Sequence, residues 1–249
     1  MSGWREALEH LQTILLAVLF ALGVRAFLIE PYSIPSGSML PTLLVGDHLF
    51  VNKFVYGIRV PFTGVRLPGL REPARGDVVV FDVARDGREI HPADRRPELP
   101  RERFVKRIVG LPGDRIEVQG DDVRVNGEPV PRRPTGESFD DGIGRPLLVV
   151  EEQLDGRRHL ALDDPAHVGA EGRFEVEPGR YLMMGDNRDD SHDSRTWGSV
   201  RFEEFKGPAF ALYWSWDWNG SWASLLDPRT WWDLLGSRMR WSRIGDTIR

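Results

Sequence analysis

Residues 104–114 read Phe-Val-Lys-Arg-Ile-Val-Gly-Leu-Pro-Gly-Asp, a short apolar run that closes on a Pro-Gly pair. Aromatic and β-branched residues fit a pleated, half-buried surface, so residues 104–109 are predicted to form a strand. The Pro-Gly pair suits a type II turn at its end. This pattern indicates a β protein whose strands are separated by tight turns.

Comparable runs, each bounded by turn residues, recur along the chain. They predict strands over 47–55, 78–81, 115–118, 123–125 and 181–184, with a hairpin turn at Asn126-Gly127. The polar stretch 91–103 carries three prolines and is predicted to be a loop. The 26 glycines and 18 prolines also favour a turn-rich β protein over a helical one.

An apolar run from Leu11 to Ile29 stands apart from these strands. Its length matches the roughly 20 residues that a helix needs to cross a bilayer. Arg25 lies near one end, where its side chain can reach the headgroups, and Glu30-Pro31 is predicted to end the helix. The alternative is a cleaved signal peptide with residues 14–24 as its apolar region.

Composition excludes several classes of function. The net charge of −5 argues against nucleic acid as a partner, and the absence of cysteine excludes disulfides, thiol nucleophiles and Cys-based metal sites.

Seven of the nine tryptophans lie between 214 and 241, and they either pack on the core or contact a membrane interface. Within this stretch, Asp227-Pro228 is typical of the start of a short helix.

Lys106 is unusual because only three of the 33 basic side chains are lysines. Arginine keeps its proton in proteins, whereas a desolvated lysine can lose it. A lysine within an apolar strand is therefore a candidate general base, and it needs a nucleophile. Ser38, within Ser36-Gly37-Ser38, is the candidate.

The segment 185–195 reads Gly-Asp-Asn-Arg-Asp-Asp-Ser-His-Asp-Ser-Arg and leaves more than one interpretation open. It lacks the central glycine and closing glutamate of an EF-hand calcium loop. His192 with Asp189 or Asp193 allows a Ser-His-Asp hydrolase as a second hypothesis. A third is a catalytically inert, membrane-tethered module that binds apolar peptides.

Together these segments resemble the bacterial type I signal peptidases, which are Ser-Lys endopeptidases that remove signal peptides. Four segments match the family in order and spacing, namely residues 30–43, 75–81, 106–114 and 185–195, and residues 243–245 extend the match. The resemblance implies that Ser38 is the nucleophile and Lys106 the general base. It also implies that Ser36 and the Ser38 N–H form the oxyanion hole.

Further roles follow from the same resemblance. Ser191 would hold the lysine amine, and Asp193 with Arg195 would brace the site. An extended substrate strand would place small side chains in two apolar pockets. The residues expected to line these pockets are Tyr32, Ile34, Pro35, Met39, Leu43, Phe104 and Val105.

The implied fold is mainly β, with a β-barrel-like catalytic core, an inserted β-rich cap and one N-terminal transmembrane helix. The expected divisions are a tail over 1–10, an anchor over 11–29, a core over 30–114 and 181–249, and a cap over 115–180. Some members of the family have two spans, and the Trp-rich stretch is longer than usual for it.

The resemblance also predicts location and partners. A single-pass protein of the cytoplasmic (inner) membrane is expected, with its catalytic domain on the extracytoplasmic side. The expected partners are exported preproteins, cut after a small-X-small sequence, together with membrane lipid and neighbouring protein export machinery. No metal or organic cofactor is expected.

Overall fold

The structure is a computed structural model that describes residues 2–59, 63, 65–141, 144–217, 232 and 234–248. It begins with one long helix, α1 (Ser2–Phe27). The helix ends before the expected Glu30-Pro31, because residues 29–33 already form the first strand. Pro31 is tolerated there since this strand lies at a sheet edge, where a missing N–H costs little.

Eight strands form the principal sheet, and its hydrogen-bonded order is β1-β2-β15-β3-β5-β13-β14, with β4 paired to β3. Every pairing in it is antiparallel. The strands are β1 (Ile29–Ser33), β2 (Asp47–Asn52), β3 (Val78–Asp86), β4 (Glu89–Pro92), β5 (Arg101–Gly110), β13 (Arg180–Met184), β14 (Val200–Arg201) and β15 (Phe205–Ser215).

Two smaller sheets come from the chain between β5 and β13. One has the order β12-β6-β7-β8 and the other β11-β10-β9. Their strands are β6 (Arg115–Gln119), β7 (Asp122–Val125), β8 (Glu128–Pro129), β9 (Arg132–Asp140), β10 (Pro146–Leu154), β11 (Arg157–Asp163) and β12 (Gly172–Glu175). The hairpin between β6 and β7 lies at 120–121, while Asn126 and Gly127 turn the chain from β7 into β8 with positive φ at both residues.

The mainly β prediction with an N-terminal apolar helix is confirmed. The expected loop over 91–103 is shorter than predicted, because β4 extends to Pro92 and β5 begins at Arg101. Charged residues at 101–103 concealed the start of β5, since they lie on an exposed part of the strand.

A core cluster built from the Ser38 segment and four strands of the principal sheet lies beneath the turn at residues 37–39. Residues from the Ser38 segment pack against strands β2, β3, β5 and β15, and the cluster comprises Ile34, Met39, Leu43, Leu49, Val51, Val78, Val80, Val105, Ala209 and Leu212. Burying this much apolar surface gives a rigid base for the segment above it.

The Trp-rich stretch is described only in part. Trp214 and Trp216 are half-buried, and their rings meet edge to face with centroids 5.9 Å apart. Trp232 and Trp241 are exposed. Trp218, Trp222, Trp231 and the expected helix start at Asp227-Pro228 lie outside the described residues.

Candidate active site

Ser38 lies in a single 3-10 turn, Gly37–Met39, between β1 and β2. Met39 is buried and fixes the turn to the core below. From the other side, the Asn187 N–H donates to the Ser38 carbonyl at 3.2 Å, and Asn187 Nδ2 donates to the Gly37 carbonyl at 3.2 Å. The turn is therefore held by residues from a segment almost 150 positions away.

Lys106 comes from the middle of β5, and its Nζ is hydrogen-bonded to Ser38 Oγ. The residue is only 2% exposed, and the Phe104 ring lies 5.7 Å from the amine. Burial lowers the pKa of Lys106 to about 8, although the carboxylates of Asp193 and Asp186 oppose this change. About a tenth of this amine is consequently neutral at pH 7.

Asp193 and Arg195 form a buried ion pair next to the lysine. Arg195 Nε and Nη2 each donate to the Asp193 carboxylate at 2.9 Å, and the Gly185 N–H donates to it at 3.0 Å. Asp193 also caps the short helix α2 (Ser194–Trp197). Burial alone would raise the pKa of Asp193, but Arg195 and the other hydrogen-bond donors, among them the Gly185 N–H, together outweigh burial and lower it, so the carboxylate stays charged.

Ser191 occupies a different position from the one expected. Its Oγ is buried beside the Asp193 carboxylate but has no partner at ordinary hydrogen-bond geometry, and no hydrogen bond joins it to Lys106 among the described residues. The hydroxyl lies close to the backbone at Gly185. The structure thus brings Ser191 to the site without the expected contact to the amine.

Sequence reasoning missed a second buried ion pair, between Arg107 and Asp186. Arg107 Nε and Nη2 donate to the two Asp186 oxygens at 2.8 and 2.7 Å, and Thr42 Oγ1 donates to Asp186 at 2.6 Å. Both ionic side chains are almost fully buried. The pair therefore joins the strand of the lysine, the loop at 185–195 and the segment of the serine in one contact set.

The predicted pocket residues largely share one cleft of about 790 Å³. Ser36, Ser38 and Lys106 lie along it, and its apolar walls include Tyr32, Ile34, Pro35, Met39, Phe104 and Val105. Ser36 Oγ is 3.5 Å from Ser38 Oγ. Leu43 does not line the cleft, because it is fully buried in the core cluster below these residues.

His192 and Asp190 lie at the border of the same cleft. His192 is exposed, and no hydrogen bond between it and Ser38 is found in the described ranges. Asp190 pairs with Arg145 at 3.2 Å and not with the histidine. The cleft therefore lacks the hydrogen-bonded chain that a Ser-His-Asp triad requires.

Two strand edges border the cleft. Residues 101–106 of β5 pair with β3 on one side only, because β13 joins β5 from Arg107 onward. β1 is the edge strand of the sheet, and the Tyr32 hydroxyl donates across the cleft to the Arg103 carbonyl at 2.8 Å. Unpaired strand edges of this kind accept an extended peptide.

Acidic groups with metal-like spacing occur away from the cleft. Carboxylate oxygens of Asp121, Asp163 and Asp189 lie within 4.8 Å of one another. Arg132 already binds Asp163 through two hydrogen bonds, and Asp189 accepts from the N–H groups of residues 164 and 169. Asp163 and Asp189 are thus satisfied by protein donors, and no chemistry at Ser38 needs the cluster.

Comparison with known proteins gives matches over most of the chain. The family model described as "Signal peptidase, peptidase S26" matches residues 7–214. The chain is 38% identical to Signal peptidase I of Pseudomonas aeruginosa and 40% identical to that of Pseudomonas fluorescens, in each case over 80% of this chain and 70% of the relative. Signal peptidase I of Rickettsia typhi is 32% identical over 87% of this chain and 79% of its own.

Among solved structures, a signal peptidase I from Enterococcus faecalis V583 matches 55% of this chain and 97% of its own. Its sequence identity is 23% and its TM-score is 0.31.

Proposed function

This chain belongs to the signal peptidase family, peptidase S26, and from that premise we propose that Ser38 and Lys106 are its nucleophile and general base. It is a hydrolase, a protease that removes signal peptides from preproteins. The observation that carries the proposal is the hydrogen bond between Ser38 Oγ and a buried lysine amine whose pKa is lowered to about 8.

The reaction follows from this contact. Neutral Lys106 takes the hydroxyl proton as Ser38 Oγ attacks the scissile carbonyl carbon, and a tetrahedral oxyanion forms. The ammonium then gives its proton to the leaving amine, which frees the amino terminus of the mature protein and leaves an ester on Ser38. Water, deprotonated by the same amine, hydrolyses the ester and restores both side chains.

The oxyanion needs donors, and Ser36 with the Ser38 N–H are the proposed ones. The 3.5 Å separation of the two serine hydroxyls supports a role for Ser36 close to the reacting atoms. Donors aimed at the developing charge are worth about 10²–10³ in kcat per donor. Ser191 is proposed to steady the lysine once substrate is bound, with Asp193 and Arg195 fixing the loop beneath it.

The cleft also suggests the specificity. An extended substrate segment would pair with the free edge of β5 and place alternate side chains on the apolar wall formed by Ile34, Met39 and Val105. Ile34, Met39 and Val105 are themselves buried, so they form a fixed apolar wall, and the family resemblance implies that only small side chains are accepted against it. We therefore infer cleavage after a small-X-small sequence, with Leu43 acting indirectly as support for this wall.

Membrane attachment completes the proposal. Residues 8–27 of α1 are long and apolar enough to cross a bilayer, and none of that window is buried by the rest of the protein. The helix joins β1 directly, which would hold the cleft near the outer surface of the cytoplasmic membrane, beside membrane lipid and the export machinery. Exported preproteins emerge there with their signal peptides still in the bilayer.

The test is cleavage of one purified preprotein by the full chain and its variants. Ser38→Ala and Lys106→Ala are expected to lower the rate by at least about 10³-fold, because each removes a group that takes part in bond formation. Lys106→Arg should be equally inactive, since a guanidinium keeps its proton.

Two variants serve as matched controls. Ser33→Ala removes an exposed hydroxyl near the same segment, and His192→Ala removes the imidazole at the border of the cleft. Both are expected to retain the wild-type rate within about threefold. Full activity in Ser38→Ala or Lys106→Ala would reject the dyad, and an inactive His192→Ala would favour the Ser-His-Asp alternative.

A further inference from the structure

A second cavity, of about 500 Å³, lies where α1 meets the β structure. We call it the junction pocket. Its charged walls are formed by Arg25, Glu30, Lys53, Arg59, Arg103 and Lys206. Its apolar wall is formed by Leu22, Ala26 and Phe27, which lie at the end of the membrane-spanning segment.

Positive charge dominates this pocket. Glu30 pairs with Lys53 and with Arg103, and Lys206 pairs with Asp82 at 2.6 Å. The lining itself carries five cations and one carboxylate, Glu30. Asp82, Glu203 and Glu204 act on Arg59 from nearby and offset part of this positive charge.

Two of these cations are unpaired. Neither Arg25 nor Arg59 has an ion-pair partner among the described residues. For Arg59, burial lowers the pKa more than the surrounding carboxylates raise it, which indicates a cation that lacks full compensation. An anion entering the pocket would supply that compensation.

The lysines add a second observation. Lys53 and Lys206 are the only lysines of the chain besides Lys106, and both line this pocket. Lys53 Nζ also donates to the Arg25 carbonyl at 3.2 Å, at the carboxyl end of α1. It thereby offsets the negative end of the helix dipole, which would otherwise repel an anion at this place.

From this juxtaposition we propose that the junction pocket binds the headgroup of an anionic phospholipid from the outer leaflet. The phosphate would lie among the cations, and the acyl chains would run along the apolar wall of α1. The two walls together select an anionic lipid. A soluble phosphate would make no use of the apolar wall, and a neutral lipid would make no use of the excess of cations. The proposal rests on the proposed function only in placing α1 across the membrane.

The experiment is native mass spectrometry of the full chain released from detergent, in the inactive Ser38→Ala background. Phosphatidylglycerol and phosphatidylcholine with the same acyl chains are offered in equal amounts. The chain with its native pocket residues should retain phosphatidylglycerol in preference to phosphatidylcholine. The double variant Arg25→Gln with Arg59→Gln should bind it roughly 25-fold more weakly, because each surface cation contributes about fivefold.

The matched control is Arg133→Gln with Arg173→Gln, which removes two exposed arginines on the smaller sheets and should leave retention unchanged. Equal retention of the two lipids, or unchanged retention in the Arg25 and Arg59 variant, would overturn the proposal. Displacement of the lipid by millimolar inorganic phosphate would overturn it too, since that would identify a site for soluble anions.

The anchor is checked separately. Resistance of the same variants to alkaline extraction from membranes reports whether α1 spans the bilayer, independently of lipid preference. Loss of lipid preference with an intact anchor would thus count against the junction pocket alone.

Discussion

Lys106 and Arg107 are neighbours in one strand, and both are buried, yet they require opposite protonation states. The buried Arg107 guanidinium is compensated by Asp186, which accepts two hydrogen bonds from it. No carboxylate within the described part of the chain forms an ion pair with Lys106, so desolvation dominates and lowers its pKa to about 8. The alternation of a strand is what separates these two environments by a single residue.

The lowered pKa of Lys106 gives a direct prediction for the pH dependence of cleavage. The amine must be neutral to accept a proton, so kcat/KM should rise about tenfold per pH unit below pH 8 and level off above it. The measurement is initial-rate kinetics of the full chain on a short peptide substrate. A rise in kcat/KM centred at about pH 6.5, the ordinary pKa of histidine, would instead indicate an imidazole base.

The loop at 185–195 is the element that brings the site together. It contributes Asp186 to Arg107, Asn187 to the serine turn and Asp193 to Arg195. The first two contacts join residues that are far apart in the sequence, and the third lies within the loop itself. The segment is therefore a clamp between strand β5 and the turn at residues 37–39.

Several individual strands could be predicted from the sequence, because an apolar run bounded by turn residues is a strong local signal for a strand. The strands at 78–81, 104–109 and 181–184 have apolar runs that allow only a buried position, and the structure contains each of them. The partner of Arg107 was not predictable in the same way. Strand alternation places its side chain on the face opposite to Lys106, but its burial depends on Asp186, which is 79 residues away.

Gly185 yields a prediction about this clamp. A Cβ there would lie 2.3 Å from Ser191 Oγ and 2.4 Å from the Ser38 carbonyl oxygen, distances that no real Cβ tolerates. Gly185→Ala should push the loop away from the serine turn and lower kcat roughly 10²-fold, as a displacement of about 1 Å can. Steady-state kinetics and circular dichroism would separate this effect from unfolding.

The control for that variant is Gly23→Ala, where a Cβ meets nothing within 4 Å. It should leave kcat unchanged. Wild-type kcat in Gly185→Ala would mean that the contact between the loop and the turn does not position the nucleophile.

On the scale of the whole molecule, the proposed catalytic cleft and the proposed membrane anchor occupy separate parts of the chain. The cleft is built from β1, the turn after it, β5 and the loop at 185–195, and the principal sheet supports them. The C-terminal segment adds to this support, since Arg243 binds the buried Asp47 at 2.6 Å and the Thr42 carbonyl at 3.0 Å. Residues 8–27, by contrast, are not buried against the rest of the protein.

Deletion of residues 2–27 should consequently leave the dyad working but unattached. Cleavage of a short soluble peptide is expected within about threefold of the full chain, with a similar melting temperature, because α1 buries little surface against the strands. Cleavage of a preprotein in lipid vesicles should fall by roughly 10²-fold, since the enzyme and the signal peptide no longer share one membrane. Equal loss on both substrates would contradict this division, because it would mean that α1 takes part in shaping the cleft.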